Sequence, residues 1–125
     1  MIVVSSFSKP LLLAVAFIFG ACAASPAHAL WGAKAKANAA AGAVLFRDRG
    51  CARCHGEAGI GGKKGPPLTA LRKQKEWTTE KIAAQIANGG QKMPPFDEAL
   101  SKDEIAQLVA YLRARRRPIP VPAAK

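Results

Sequence analysis

Gly50-Cys51-Ala52-Arg53-Cys54-His55-Gly56 (GCARCHG, residues 50–56) is the stretch on which the reading of this chain turns. It sets two thiols three positions apart and an imidazole directly behind the second. Four explanations exist for such spacing: a metal knuckle, a redox-active disulfide, an attachment site for a haem, or accident.

The 125 residues around this stretch, half of them hydrophobic, suffice for one small domain and leave no room for a second core. The N-terminus reads as a secretory leader. Lys9 is its sole charge, Leu11 to Ala24 is an apolar run of 14 residues, and Ser25-Pro26-Ala27-His28-Ala29 ends in an A-x-A-like site. Cleavage is expected after Ala29, giving a signal peptide over residues 1–29. The run falls short of the roughly 20 residues that cross a bilayer as a helix, and an uncleaved membrane anchor is the alternative. Cys22 lies in this run behind Phe19-Gly20-Ala21. It reads as a small apolar residue of the discarded segment, with lipid attachment as the alternative, which Phe19 fits poorly.

Removal of residues 1–29 leaves 96 residues and two cysteines, Cys51 and Cys54. An exported chain meets an oxidising compartment, where such a pair oxidises unless a partner consumes both thiols. The same 96 residues carry 18 basic and 8 acidic side chains, a net charge of +10. A chain this basic seeks an acidic surface. Export and the lack of interleaved aromatics argue against nucleic acid, so the expected partner is a protein with an acidic docking face.

Behind the leader the chain reads as helices and loops. Residues 30–41 are an Ala-rich lead-in, and the helix-favouring run continues through Arg49 to a stop at Gly50. The first helix thereby delivers Cys51. Gly56 to Pro67 is rich in glycine, lysine and proline and predicts an ordered or ligand-wrapped loop. A second helix begins at a Thr78 or Thr79 cap, carries Ile82 and Ile86 on one face and ends at Asn88-Gly89-Gly90. Ser101 and Glu104 make a capping box for a last helix, whose Ile105, Leu108, Val109 and Leu112 share a face. Arg113, Arg115, Arg116 and Arg117 suit the negative end of its dipole, and Pro118, Pro120 and Pro122 forbid further helix. No strand signal or internal repeat stands out. The chain is expected to be all-α, with three to four helices.

The opening stretch can now be weighed. A structural zinc site needs four ligands, and only Cys51, Cys54 and His55 are strong candidates here. A thioredoxin-like pair opens a helix after a strand, whereas here a helix precedes the pair and no sheet is predicted. C-x-x-C-H is the spacing at which two thiols add to the two vinyl groups of one haem while the adjoining imidazole reaches its iron. Covalent linkage explains how both thiols survive export, and the haem supplies apolar filler that a 96-residue chain lacks.

His55 then takes one axial position on the iron and leaves the other to be filled. Met93 is the only methionine beyond the leader. It lies 38 residues after His55 in the proline-braced segment Lys92-Met93-Pro94-Pro95-Phe96, outside any predicted helix. A lone methionine is more often core filler. A thioether opposite an imidazole, however, favours reduced iron and raises the potential, as suits an electron carrier.

In this combination the chain resembles the class I c-type cytochromes, in particular the small soluble single-haem carriers of bacteria, from about residue 38 to residue 113. The resemblance implies a small cytochrome c-like fold over residues 30–117, with loops wrapped around one covalent haem c and a Pro-rich tail over residues 118–125. It makes Cys51 and Cys54 the thioether cysteines, His55 the proximal ligand and Met93 the distal ligand. Gly65-Pro66-Pro67-Leu68 resembles the family's Gly-Pro segment, in which the Pro66 carbonyl would accept a hydrogen bond from the His55 nitrogen that faces away from iron. Gly42 and Phe46 look like the contact pair that packs the first helix on the last, against Leu108 and Tyr111. Trp77 falls on no motif position; a propionate contact and a cap on the core remain open for it.

The function so implied is periplasmic electron transfer, with no catalysed reaction, no catalytic residue, no stable membrane insertion after leader cleavage, and a monomeric state. Arg53, Lys63, Lys64 and Lys92 flank the haem-binding segments and would steer an acidic oxidase, reductase, dehydrogenase or reaction centre; a merely solvated basic surface is the alternative. The rival from another class is a haem with an open or labile sixth position, in an oxidoreductase or a gas sensor, and Met93 discriminates the two.

Overall fold

The computed structural model describes residues 26–119. The apolar run Leu11–Ala24 with Cys22, and tail residues 120–125, lie outside the described residues. Among the described residues there are four α-helices and no strand: α1 (Pro26–Asp48), α2 (Cys51–His55), α3 (Thr79–Asn88) and α4 (Lys102–Arg113). Two short 3₁₀ turns, Glu57–Gly59 and Leu71–Lys73, punctuate the loop between α2 and α3. The chain is all-α, as expected. None of the helices is long and apolar enough to cross a membrane.

Alanine-rich composition lets α1 run for 23 residues. Residues 32–37 are exposed along it, and burial begins with Ala39, Ala43 and Phe46, which share one face at spacings of four and three. The leader boundary expected after Ala29 falls inside α1, near its start.

Gly50 stops α1 in the left-handed region, at φ 79°. The stop falls where the sequence predicts it, and the cysteine motif beyond it forms a separate short helix, because a left-handed residue redirects the axis before Cys51.

The caps of α3 and α4 are those the sequence predicts. Thr78 Oγ1 accepts from Lys81 N at 3.2 Å. Ser101 Oγ accepts from Glu104 N at 3.2 Å while Glu104 Oε2 accepts from Ser101 N at 2.8 Å. Each exchange satisfies a donor that the first turn leaves orphaned.

α1 and α4 form the scaffold. Phe46 and Tyr111 meet at a tilt of 49° with ring centroids 5.4 Å apart, and Leu108, Val109, Leu112, Ile82 and Ile86 belong to the same buried cluster. Burial of each large side chain contributes about 2 kcal/mol. The helices meet at Gly42, where a Cβ would stand 2.0 Å from the Gln107 carbonyl oxygen and 2.8 Å from Tyr111 Cβ. Gly42 and Phe46 therefore occupy the contact expected of them, with the Gln107 backbone as an added partner.

Candidate functional site

A cavity of about 820 Å³ opens between α2, the loop that follows it, α3 and the loop before α4. Cys51, Cys54, His55, Pro66, Trp77 and Met93 all line it. Residues separated by up to 42 positions thus border one cavity, although α2 and the Met93 loop are joined only through α3 and its flanking loops.

α2 presents Cys51, Cys54 and His55 within little more than one helical turn. Burial pushes the Cys51 thiol above its ordinary value, and the neighbouring Cys54 adds to that rise, against an opposing backbone hydrogen bond. This is the reverse of the lowered pKa that activates a redox dithiol.

His55 Nδ1 lies 2.9 Å from the Pro66 carbonyl oxygen. A carbonyl only accepts, so Nδ1 carries the proton and the free lone pair resides on Nε2. The bond also fixes the orientation of the ring.

Met93 is half-buried in a segment folded around Gly89. Gly89 adopts φ 71°, and a Cβ there would stand 2.5 Å from the Met93 carbonyl oxygen and 2.7 Å from Pro95 N. Gly90 N donates to Met93 O at 2.8 Å and Phe96 N to Ala87 O at 3.0 Å. Gln85 Nε2 reaches from α3 to the Gly89 carbonyl at 2.6 Å. Sequence reasoning took Asn88-Gly89-Gly90 only as a helix stop; Gly89 and Gln85 in addition shape the loop that carries Met93.

Trp77 is half-buried in the cavity wall, with Arg113 Nη1 donating to its carbonyl at 2.5 Å and Lys81 Nζ 5.0 Å from its ring centroid. Of the basic residues expected around the site, Arg53, Lys64 and Lys92 line the cavity. Lys63 is exposed and outside the lining, while Arg49, not singled out from sequence, belongs to it.

Arg117 departs from the dipole role expected of it. Arg113 alone of the terminal arginines stands in the last turn of α4. Arg117 folds back: Nη1 donates to Ala58 O at 2.6 Å, and Nη2 to Leu68 O and, at 3.2 Å, to Leu112 O. The α4 carbonyl is one acceptor among three, so the guanidinium mainly ties down the loop after α2. No local signal marks it, since Ala58 and Leu68 lie 59 and 49 positions away.

These features fit a haem. The cavity falls in the roughly 300–1,000 Å³ range of cofactor sites, two thiols and an imidazole with a free Nε2 share its wall, and a soft thioether stands among the same lining residues.

Comparisons with known proteins agree. A family model described as cytochrome C oxidase, cbb3-type, subunit III matches residues 37–112, from the buried part of α1 into the last turn of α4. Cytochrome c6 of Leptolyngbya boryana is 40% identical over 78 residues, spanning 61% of this chain and 91% of the relative. Cytochrome c6 of Chlorolobion braunii is 37% identical over 83 residues, spanning 62% and 90%. Among solved structures, the KustC0563 c-type cytochrome superposes with a TM-score of 0.52 at 28% identity, over 58% of this chain and 93% of its own. The c-type cytochrome XoxG from Methylobacterium extorquens AM1 superposes with a TM-score of 0.55 at 27% identity, over 67% of this chain and 57% of its own. The chain belongs to the family so matched: it is a small class I c-type cytochrome, an electron-transfer protein with one covalently held haem c.

Proposed function

We propose that this chain is a periplasmic electron carrier whose haem is joined to Cys51 and Cys54 and whose iron is held between His55 and Met93. The observation that carries this reading is the shared cavity: both thiols, the imidazole and the only methionine beyond the expected leader line one space. When bound, the haem supplies a ferrous/ferric couple that accepts and releases single electrons.

The chain's own residues account for the rest. Pro66 holds the His55 proton on Nδ1 and leaves Nε2 free to bind iron. The Gly89 turn and Gln85 brace the loop that offers Met93, which would hold the iron on that side and keep small molecules from it. The thioether lowers the cost of the reduced state. Buried Ile82, Ile86, Leu71 and Leu112 border the cavity and limit water around the couple, while Arg53, Lys64 and Lys92 offer positive charge to an acidic partner. No substrate bond changes, and a monomer suffices. Export with loss of residues 1–29 brings the chain to the compartment where those partners work.

The test is the optical spectrum of the haem-loaded protein and of Met93→Ala. A weak near-infrared band from sulfur on ferric haem, present in wild type and lost in the variant, is the expected result. A wild type without the band that takes up carbon monoxide readily when reduced would have an open sixth position, and a catalysed reaction or a sensed gas would replace the carrier reading.

A further inference from the structure

The three carbonyls that accept from Arg117 belong to three different parts of the chain. Ala58 lies in the 3₁₀ turn after α2, Leu68 closes the Gly-Pro segment, and Leu112 lies in the last turn of α4. Its guanidinium carbon also sits 5.5 Å from the Tyr111 ring centroid. Tyr111 is fully buried against Phe46, so the clamp is anchored to the rigid α1/α4 pair.

Two features of the loop match this anchor. Ala58 is the sole non-glycine residue at positive φ among the described residues, at φ 53°. Such a conformation persists only where the surroundings hold it, and here the Ala58 carbonyl is held by Arg117. The next residue is Gly59, at which a Cβ would stand 2.7 Å from Arg117 Nη1, so a side chain there would displace the guanidinium.

The loop is closed on itself by Leu68 N, which donates to Gly59 O at 2.8 Å. Two residues before Leu68 is Pro66, whose carbonyl receives the His55 Nδ1 proton. Arg117 therefore grips both ends of the segment from which that carbonyl is presented. Simple capping of α4 would need Leu112 alone. Arginine suits the task because its planar fork offers five donors in fixed directions, whereas lysine offers one point charge. Pro118 adds to this by biasing Arg117 toward an extended backbone. Burial lowers the Arg117 pKa, as expected of a cation partly withdrawn from water.

We propose that Arg117 is a positioning residue for His55: by fastening Ala58 and Leu68 to α4 it holds the Pro66 carbonyl on the His55 ring, and so fixes the hydrogen bond and orientation of the ring whose Nε2 is offered to haem iron. The proposal rests on the ligation by His55 argued above. Any change that loosens the clamp weakens the Nδ1 hydrogen bond, makes His55 a poorer donor to ferric iron and raises the reduction potential.

The test uses the haem-loaded full chain and Arg117→Lys, which keeps the positive charge and removes the fork. Midpoint potential, exchange of the His55 Nδ1 proton and exchange of the Leu68 amide are measured by voltammetry and NMR. Expected are a higher potential and roughly tenfold faster exchange at both protons, as for a locally opened segment. A lower melting temperature with potential and Nδ1 exchange unchanged makes Arg117 purely structural and overturns the proposal.

A second pair guards against a variant that fails to fold: chains ending at Arg116 and at Pro118. The shorter should behave as Arg117→Lys and the longer as wild type; identical behaviour overturns the proposal. Spectra in which His55 is not bound to iron would overturn the ligation reading, and with it the link to potential. That failure is distinct, since faster Leu68 exchange would still report the clamp itself.

Discussion

Gly42 on α1 and Gln107 on α4 approach so closely that a methyl group at residue 42 would stand 2.0 Å from the Gln107 carbonyl oxygen. The obstacle is backbone, which no rotamer change relieves. Gly42→Ala is therefore expected to force the helices apart and to cost about 3 kcal/mol. Urea unfolding of the haem-loaded protein measures this, and an unchanged midpoint would mean that the crossing is looser than described.

Gly89 meets a similar limit on the Met93 side, where an added Cβ would lie 2.5 Å from the Met93 carbonyl oxygen and the backbone holds φ 71°. Gly89→Ala should displace the Met93 loop while leaving α1 and α4 in place. The near-infrared sulfur band should weaken and carbon monoxide binding by the reduced protein should appear. Retention of a full-strength band would show that Met93 is held independently of Gly89.

Glu104 couples the cap of α4 to the end of α1. Its carboxylate is held below the ordinary value of 4.5, chiefly by the hydrogen bond from the Ser101 backbone and next by Arg49, whose Nη2 lies 2.9 Å from Oε1. A folded pKa below the unfolded one adds stability above the unfolded value and loses it as pH falls through the folded value. Glu104→Gln keeps an acceptor for Ser101 N but loses the charge. Its melting temperature should lie a few degrees below that of wild type at pH 7, with the gap closing as pH drops below 4.5. A gap that persists in acid would assign the loss to geometry rather than charge.

Arg53, Lys64 and Lys92 border the cavity, and 18 basic residues face 8 acidic ones beyond the expected leader. If this charge steers partners, the rate of oxidation by anionic ferricyanide should fall as ionic strength rises. At low salt the double variant Lys64→Glu with Lys92→Glu should be slower by roughly tenfold. Rates flat in salt for both proteins would leave the basic surface without a steering role.

The Ser101 cap was legible because the hydroxyl and the Glu104 carboxylate it serves lie in one turn. The thiols and imidazole of residues 51–55 were legible for the same reason. The place of Met93 in the cavity lining was foreshadowed by its isolation among prolines, but Gly89 and Gln85, which shape its loop, were not legible: a helix stop and a loop brace look alike until the loop is seen folded over it. Arg117 was hidden among neighbouring arginines. Arg115 and Arg116 are exposed, and only Arg117 meets the Ala58 and Leu68 carbonyls.

Local order was thus in the sequence itself: where α1 stops, where α3 and α4 begin, and how closely Cys51, Cys54 and His55 are grouped. Each depends on hydrogen bonds and steric limits that act within a turn or two of chain. The tertiary structure alone decided which distant groups come together: Gly42 against Gln107, Arg117 against Ala58 and Leu68, and the Met93 loop and the Cys51–His55 helix around one cavity. Such pairings close long loops at an entropic cost that burial of the α1/α4 interface must offset, and that balance is a property of the packed whole that no short window contains.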